Sequence, residues 1–169
     1  MKISPTGKVP LLVDGDFQVY ESDIICEYLA ERFDWQDAYG PDLQTKTLMK
    51  LAMKQWDQVI AKAFYPALRE GKMPEDDELT KIHRELDAMS QLLVMLAGDT
   101  ENMLATHVAP FWARMDWLRE LTPFATLIDE HEELHYWLDR ILVLPAIQHT
   151  LPDEEATVRT YRERFVQQS

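Results

Sequence analysis

From Leu43 onward, every apolar repeat in the sequence recurs at three- and four-residue steps rather than at the two-residue step of a strand. That spacing selects helices, because only it gathers apolar side chains on one helical face. One long stripe comprises Leu48, Leu51, Ala52, Trp56, Val59, Ile60 and Ala63, with Pro66 near its end and Gly71 as a stop. A second stripe, Leu79, Ile82, Leu86, Met89, Leu93 and Leu96, is expected to open at Pro74 and end near Gly98. Its acidic first turn suits the positive end of the helix dipole. A third helix is expected from about Leu104 to Leu121, with Val108, Phe111, Met115 and Leu118 inward and Pro110 early enough to kink it. A fourth carries Leu134, Leu138 and Ile141 before Pro145, and a charged last one uses Val158, Tyr161 and Phe165. A stretch of this length buries its own core as a bundle.

The first 35 residues follow other rules. Two short apolar runs, Val9 to Val13 and Phe17 to Tyr20, bracket Asp14-Gly15-Asp16 and predict a β-hairpin. Pro10 has no N–H for a ladder, so it belongs at a strand start or an edge. A helix follows, with Ile24, Ile25, Tyr28, Leu29 and Phe33 at helical spacing, Ser22 as the expected N-cap and Asp23 in the first turn. Residues 36–42 lack periodicity and read as a linker. A hairpin backed by one helix is marginal by itself. The expected fold class is therefore mostly α, a helical bundle preceded by a hairpin and helix that form part of a domain.

Charge and composition remove whole classes of partner. The chain carries 30 acidic against 17 basic residues, a formal charge of -13, and no dense Lys/Arg patch. Polyanion binding needs positive charge at the phosphates, so no nucleic-acid partner is expected. No apolar run approaches the roughly 20 residues that span a bilayer, so no membrane partner is expected, and the location read from the sequence is cytoplasmic. Cys26 has no partner in the chain, which excludes a disulfide scaffold.

Three candidate chemistries stand out. His131-Glu132-Glu133-Leu134-His135 matches the zinc-hydrolase pattern, in which two imidazoles share a helical face beside a glutamate base. It needs a third ligand, for which His149 and Glu154 are available without being obvious. The acidic run from Asp129 to Glu133 reads better as a solvated helix start, and no metal is expected. Cys26, on a half-apolar helix with no histidine near it in sequence, reads as an inert thiol. Trp56, Trp112, Trp117 and Trp137 lie among aliphatics at helical spacing and read as core. The most specific constellation is Val9, Pro10, Glu21 and Ser22. A cis Val9–Pro10 bond would hold the Val9 backbone groups in a fixed direction. Glu21 and Ser22 stand where a strand passes into a helix, whose free N–H groups and the Ser22 hydroxyl suit a carboxylate, while Glu21 suits an ammonium. A small peptide with both groups at one end matches this set. The competing reading is that Pro10 shapes a turn and Ser22 caps.

Gly7-Lys8-Val9-Pro10-Leu11-Leu12-Val13 and Glu21-Ser22-Asp23-Ile24-Ile25-Cys26-Glu27-Tyr28-Leu29, in combination and at this spacing, resemble the glutathione transferase family. Trp137-Leu138-Asp139-Arg140 and Pro145-Ala146 resemble its late helix and exit. The resemblance implies a partial thioredoxin-like N-terminal domain over residues 1–35, a linker over 36–42 and an all-helical C-terminal domain over 43–169. It implies that the Val9 backbone binds the cysteinyl part of glutathione, that Pro10 is the cis-proline, and that Glu21 and Ser22 hold the γ-glutamyl end. It also implies a helix with Trp56 and Ile60 beside the electrophile and near a twofold-related subunit.

Two departures bear on activity. The family's Ser, Tyr or Cys that activates the thiol lies on a strand–helix–strand unit ahead of the residues matched here, so no catalytic residue is assigned. Weak or no conjugation of glutathione to a small electrophile is expected of this chain, read as a shortened form. The alternative is a non-catalytic binding or regulatory module acting through protein contacts, as a homo-oligomer or with another protein. The second departure is at Met103, where the resemblance expects a capping Ser or Thr; a methionine there would cost about 1 kcal/mol.

Overall fold

The computed structural model describes residues 7, 9–96 and 100–166, so the Lys8 and Gly98 readings lie outside the described residues. Strand β1 (Leu11–Asp14) pairs antiparallel with β2 (Phe17–Tyr20), in a register of Leu11 with Tyr20 and Asp14 with Phe17. Gly15, at φ 61°, supplies the left-handed residue that a two-residue hairpin loop needs. Helix α1 (Ser22–Arg32) packs on β2, burying Val19 and Ile25, and the Tyr28 hydroxyl donates to Asp14 Oδ2 at 2.6 Å across the turn. No third strand joins the sheet among the described residues.

The connection after α1 is more than a tether. Ala38 and Tyr39 are buried, and the Ala38 carbonyl accepts from the Met103 N–H at 2.7 Å. Lys46 and Lys50 lie over the Tyr39 ring, at 5.3 and 5.0 Å from its centroid. Asp42 then caps α2 (Leu43–Gln55), accepting from the N–H groups of Gln44 and Thr45 at 2.8 and 2.9 Å.

Helix α2 runs without a break through a π-helical segment, Trp56–Ala61, into α3 (Lys62–Glu70). Its core stripe is Met49, Met53, Trp56, Ile60, Phe64, Ala67 and Leu68. The sequence-based stripe is thus rotated at its start. Leu51 is 50% exposed, and Leu48, Leu51 and Ala52 line a groove of about 270 Å³ against Met89, Leu92 and Met95 of α4 (Asp76–Met95). The flexible methionines at 49 and 53 take the core positions, where their unbranched side chains fill the gaps left between packed helices. Pro74 lies two residues ahead of α4, and Glu75 is its N-cap.

Helix α5 (Met103–Trp117) is the central element, with Leu104, Val108, Trp112 and Met115 fully buried. Its first turn corrects the expected defect. Asn102 is the N-cap, its side chain accepting from Ala105 N–H at 2.9 Å, while Met103 is a core residue at 2% exposure. The cap stands one residue earlier than the resemblance implied. The helix also ends at Trp117 rather than Leu121, and a 3-10 turn (Pro123–Ala125) and α6 (Thr126–Asp129) follow, packing Phe124 and Ile128 into the core. Then come α7 (Glu132–Leu142), α8 (Pro145–Gln148) and α9 (Glu154–Val166). Arg119 fastens this corner with two bonds to Asp129, at 2.6 and 3.0 Å, and one to Asp116 at 2.7 Å.

Candidate functional site

The β1–β2 register decides what the four expected site residues have in common. Leu11 faces Tyr20 at the open end of the hairpin, so Pro10 and Glu21 continue from one paired position, and Val9 and Ser22 lie just beyond. Directly opposed strand residues have Cα atoms about 4.5–5.5 Å apart, so a gap of eleven positions in sequence becomes one site-sized cluster. The Val9–Pro10 bond is cis. Val9 is 91% exposed, and Pro10, Glu21 and Ser22 are exposed as well.

At the start of α1 the backbone is unusual. Glu21 has φ 69° and ψ 121°, a left-handed conformation that costs a non-glycine residue roughly 1–3 kcal/mol. It occupies the N-cap position and its side chain makes no capping bond. Ser22 is the first helical residue, which corrects its reading as the cap. The first helical donor is Ile25 N–H, bonded to the Glu21 carbonyl at 2.9 Å, so the N–H groups of Ser22, Asp23 and Ile24 precede the ladder. This helix start therefore presents exposed donors and a hydroxyl next to a carboxylate, with nothing from the helix itself closing it off.

Behind that surface lies a residue that sequence reasoning missed. The His107 side chain, 7% exposed, places Nδ1 2.9 Å from Asp23 Oδ1 and Nε2 3.1 Å from Asp57 Oδ1. Burial works against charge on this imidazole, but the two carboxylates outweigh it and its pKa is raised above 6.5. Asp23 is lowered, chiefly by its bond to His107. Asp57 is raised despite the same partner, because burial dominates at its longer contact. Asp23, Asp57 and His107 offer atoms within 4.8 Å of one another, as a metal site would. The two carboxylates face opposite nitrogens of the ring, an arrangement that suits two hydrogen bonds to one imidazolium. Positions 23, 57 and 107 are too distant in sequence to signal each other. The available hint was a histidine within the otherwise apolar first turns of α5.

The remaining candidates resolve differently. His131 has φ -111° and ψ 76° at the N-cap of α7, outside the helix that carries His135. Its Nε2 faces His83 Nδ1 at 3.4 Å and its Nδ1 faces Asp87 at 3.3 Å, while His135 lies between Asp129 and Asp139. The shared helical face that the zinc pattern requires is not formed. Burial, and then Asp23, push the half-buried Cys26 thiol up, away from nucleophilic readiness. Trp56 is buried in the π segment, and its indole N–H has no acceptor among the described residues. Such segments are rare inside helices and recur at functional sites.

Known proteins resemble the chain in sequence and in fold. Residues 1–41 match the family model described as glutathione S-transferase, N-terminal domain. The chain is 31% identical over 160 residues to glutathione S-transferase F10 of Arabidopsis thaliana, covering 83% of this chain and 72% of that protein. The crystal structure of glutathione transferase Omega 1C from Trametes versicolor superposes with a TM-score of 0.72 at 18% identity, over 98% of this chain and 78% of that one. A structure of glutathione S-transferase-I bound with the ligand lactoylglutathione superposes at 0.63 and 22% identity, over 86% and 74% respectively.

Proposed function

The chain belongs to the glutathione transferase family, and we propose that Val9, Pro10, Glu21 and Ser22 form its glutathione site. In this reading Glu21 takes the γ-glutamyl ammonium, and the Ser22 hydroxyl and the N–H groups of the first α1 turn take its carboxylate. The Val9 backbone pairs with the cysteinyl part. The observation that carries the reading is the Glu21–Ser22 junction itself: a left-handed, uncapped helix start beside a cis-proline. A backbone held off its preferred conformation is retained where something depends on its direction. The related structure with lactoylglutathione adds support, since that protein carries a glutathione-derived ligand on the same fold.

Calorimetry with glutathione tests the site. Ser22→Ala removes one hydrogen bond to a charged group and is expected to weaken binding about tenfold. Unchanged affinity would remove Ser22 from the site. The reaction is glutathione addition to a small electrophile. By the resemblance the thiol-activating side chain lies on a strand–helix–strand unit outside the matched residues, so no catalytic residue is assigned, and conjugation is assayed with an activated chloronitroarene, from which chloride leaves as the thioether forms. Turnover that falls with affinity on Ser22→Ala supports the site, and turnover indifferent to Ser22→Ala would take Ser22 out of it.

The same reading divides the chain into a thioredoxin-like part over 1–35, a linker over 36–42 and a helical domain over 43–169. It also pairs two copies through the α2–α4 face, where Leu51, Val94 and Met95 are exposed beside the apolar groove. A second reading, a binding module without catalysis, is favoured by the exposed Val13, Phe17 and Tyr20 of a sheet with two described strands. Conjugation and binding assays on the same preparation separate the two.

A further inference from the structure

Three segments far apart in the sequence meet at one imidazole. Asp23 comes from the first turn of α1, Asp57 from the π-helical segment, and His107 from α5. A neutral imidazole carries a single N–H. Here each ring nitrogen faces a carboxylate oxygen at hydrogen-bond distance, so with both carboxylates ionised both bonds exist only in the cation. The cation also offsets two carboxylates that otherwise repel each other across the ring.

Asp23 follows Ser22 directly, so fixing one fixes the other, since consecutive Cα atoms stand 3.80 Å apart across a trans peptide. No other side chain of Ser22 to Ile25 hydrogen-bonds to another element among the described residues. We propose that the His107 imidazolium is a positioning residue for the glutathione site, holding the Ser22 turn through Asp23, so that glutathione affinity falls when His107 loses its proton. This rests on the glutathione reading of Glu21 and Ser22.

The direction follows from the surroundings. The raised His107 pKa means that the cation is complete below about pH 6.5 and is lost as pH rises through the higher folded value. The other shifted groups nearby that lose a proton at alkaline pH are moved away from neutral pH. Burial, with help from Asp23, raises Cys26 on α1, and burial raises Tyr39, on the connection after α1, to about 12. Tyr65 of α3, beyond Asp57, is raised mainly by burial, with Arg114 of α5 pulling it the other way. On its own helix His107 meets the Phe111 ring, at 5.9 Å between centroids, which carries no charge. Cys26, Tyr39 and Tyr65 thus each start from an ordinary value above that of an imidazole and are pushed higher still.

The test uses the whole 169-residue chain and S-hexylglutathione, a probe with no thiol to ionise. Calorimetry from pH 6 to 9 is run beside an NMR titration of the His107 ring. Affinity is expected to fall about tenfold across the measured His107 midpoint. His107→Gln, which carries no charge, is expected to bind weakly with no step at that midpoint. Asp57→Asn removes one of the two carboxylates and is expected to move the midpoint to lower pH. A wild-type affinity that stays flat through the His107 midpoint overturns the proposal, as does a step of the wild-type size in His107→Gln. Should His107→Gln fail to fold, the wild-type profile and the Asp57→Asn shift decide. If the wild-type chain binds no probe at any pH, the site reading fails. The positioning role is then judged by the Ser22 and Asp23 amide signals, which follow the His107 midpoint if it holds them and ignore it if it does not.

Discussion

Replacing Met103 by serine separates two accounts of the start of α5 by the sign of the effect. If position 103 is the N-cap, as the family pattern implies, serine supplies the missing acceptor and stabilises the protein by about 1 kcal/mol. The structure gives the opposite sign. Asn102 already caps through its 2.9 Å bond to Ala105 N–H, and Met103 is buried within the core cluster that includes Ala38, Leu104 and Trp137. Truncating a buried methionine to alanine costs about 2–5 kcal/mol, set by how far the site collapses. Serine adds a hydroxyl with nothing designed to receive it, so a loss of about 3 kcal/mol is expected. Equilibrium urea unfolding of the full chain reads this directly. With a slope near ~2 kcal/mol/M, the midpoint falls by about 1.5 M at unchanged slope. Met103→Leu, which keeps the volume, is expected to cost less than about 1.5 kcal/mol. A Met103→Ser midpoint at or above that of the wild type, with the same slope, would refute the placement of the cap at Asn102.

Gly40 has φ 80°, and an added Cβ would stand 2.5 Å from Thr45 Cγ2, so Gly40→Ala is expected to destabilise by about 2 kcal/mol in the same assay. Pairing it with Thr45→Ser, which deletes that methyl but keeps the hydroxyl, should recover the steric part and leave about 1 kcal/mol of backbone cost; no recovery would place the cost elsewhere. Asp129 is held below its usual 3.8, first by its bonds to Arg119. Its contribution is therefore present above pH 3.8 and lost as pH falls through the lower folded value. Asp129→Asn should flatten the acid limb of the stability profile, and an acid limb identical to that of the wild type would show that the pair contributes nothing there.

The helical bundle was legible because its signal is local. Leu86, Val108, Met115, Leu138 and Ile141 recur at helical spacing, and all are fully buried. The hairpin was legible for the same reason, since Asp14-Gly15-Asp16 between two apolar runs leaves the backbone few alternatives. The family resemblance rests on short motifs of the same local kind, in the loop before β1, the turn into α1, and Trp137-Leu138-Asp139-Arg140 with Pro145-Ala146 late in the chain. What was misread turned on a shift of one residue or of one helical face. Met103 and Asn102 compete for one cap, and Leu51 and Met53 for one core position; propensity cannot rank them without knowing which neighbour arrives. Three short elements, the 3-10 turn at Pro123, α6 and α8, left no trace because each is shorter than the period needed to recognise it.

The sequence by itself determined the class of fold and the family, and it marked Val9, Pro10, Glu21 and Ser22 as candidates, since each of these readings rests on short local motifs; the hairpin register then set Pro10 and Glu21, eleven positions apart, beside each other. Tertiary structure alone decided the partners of the histidines. His131 and His135, a motif in the sequence, turn to different carboxylates, while His107, which belongs to no motif, joins Asp23 and Asp57 behind Ser22. The physical reason is range. Backbone preference and hydrophobic period act over a turn or two, whereas a hydrogen bond closes between whatever groups the packed helices bring within about 3 Å, at any separation along the chain.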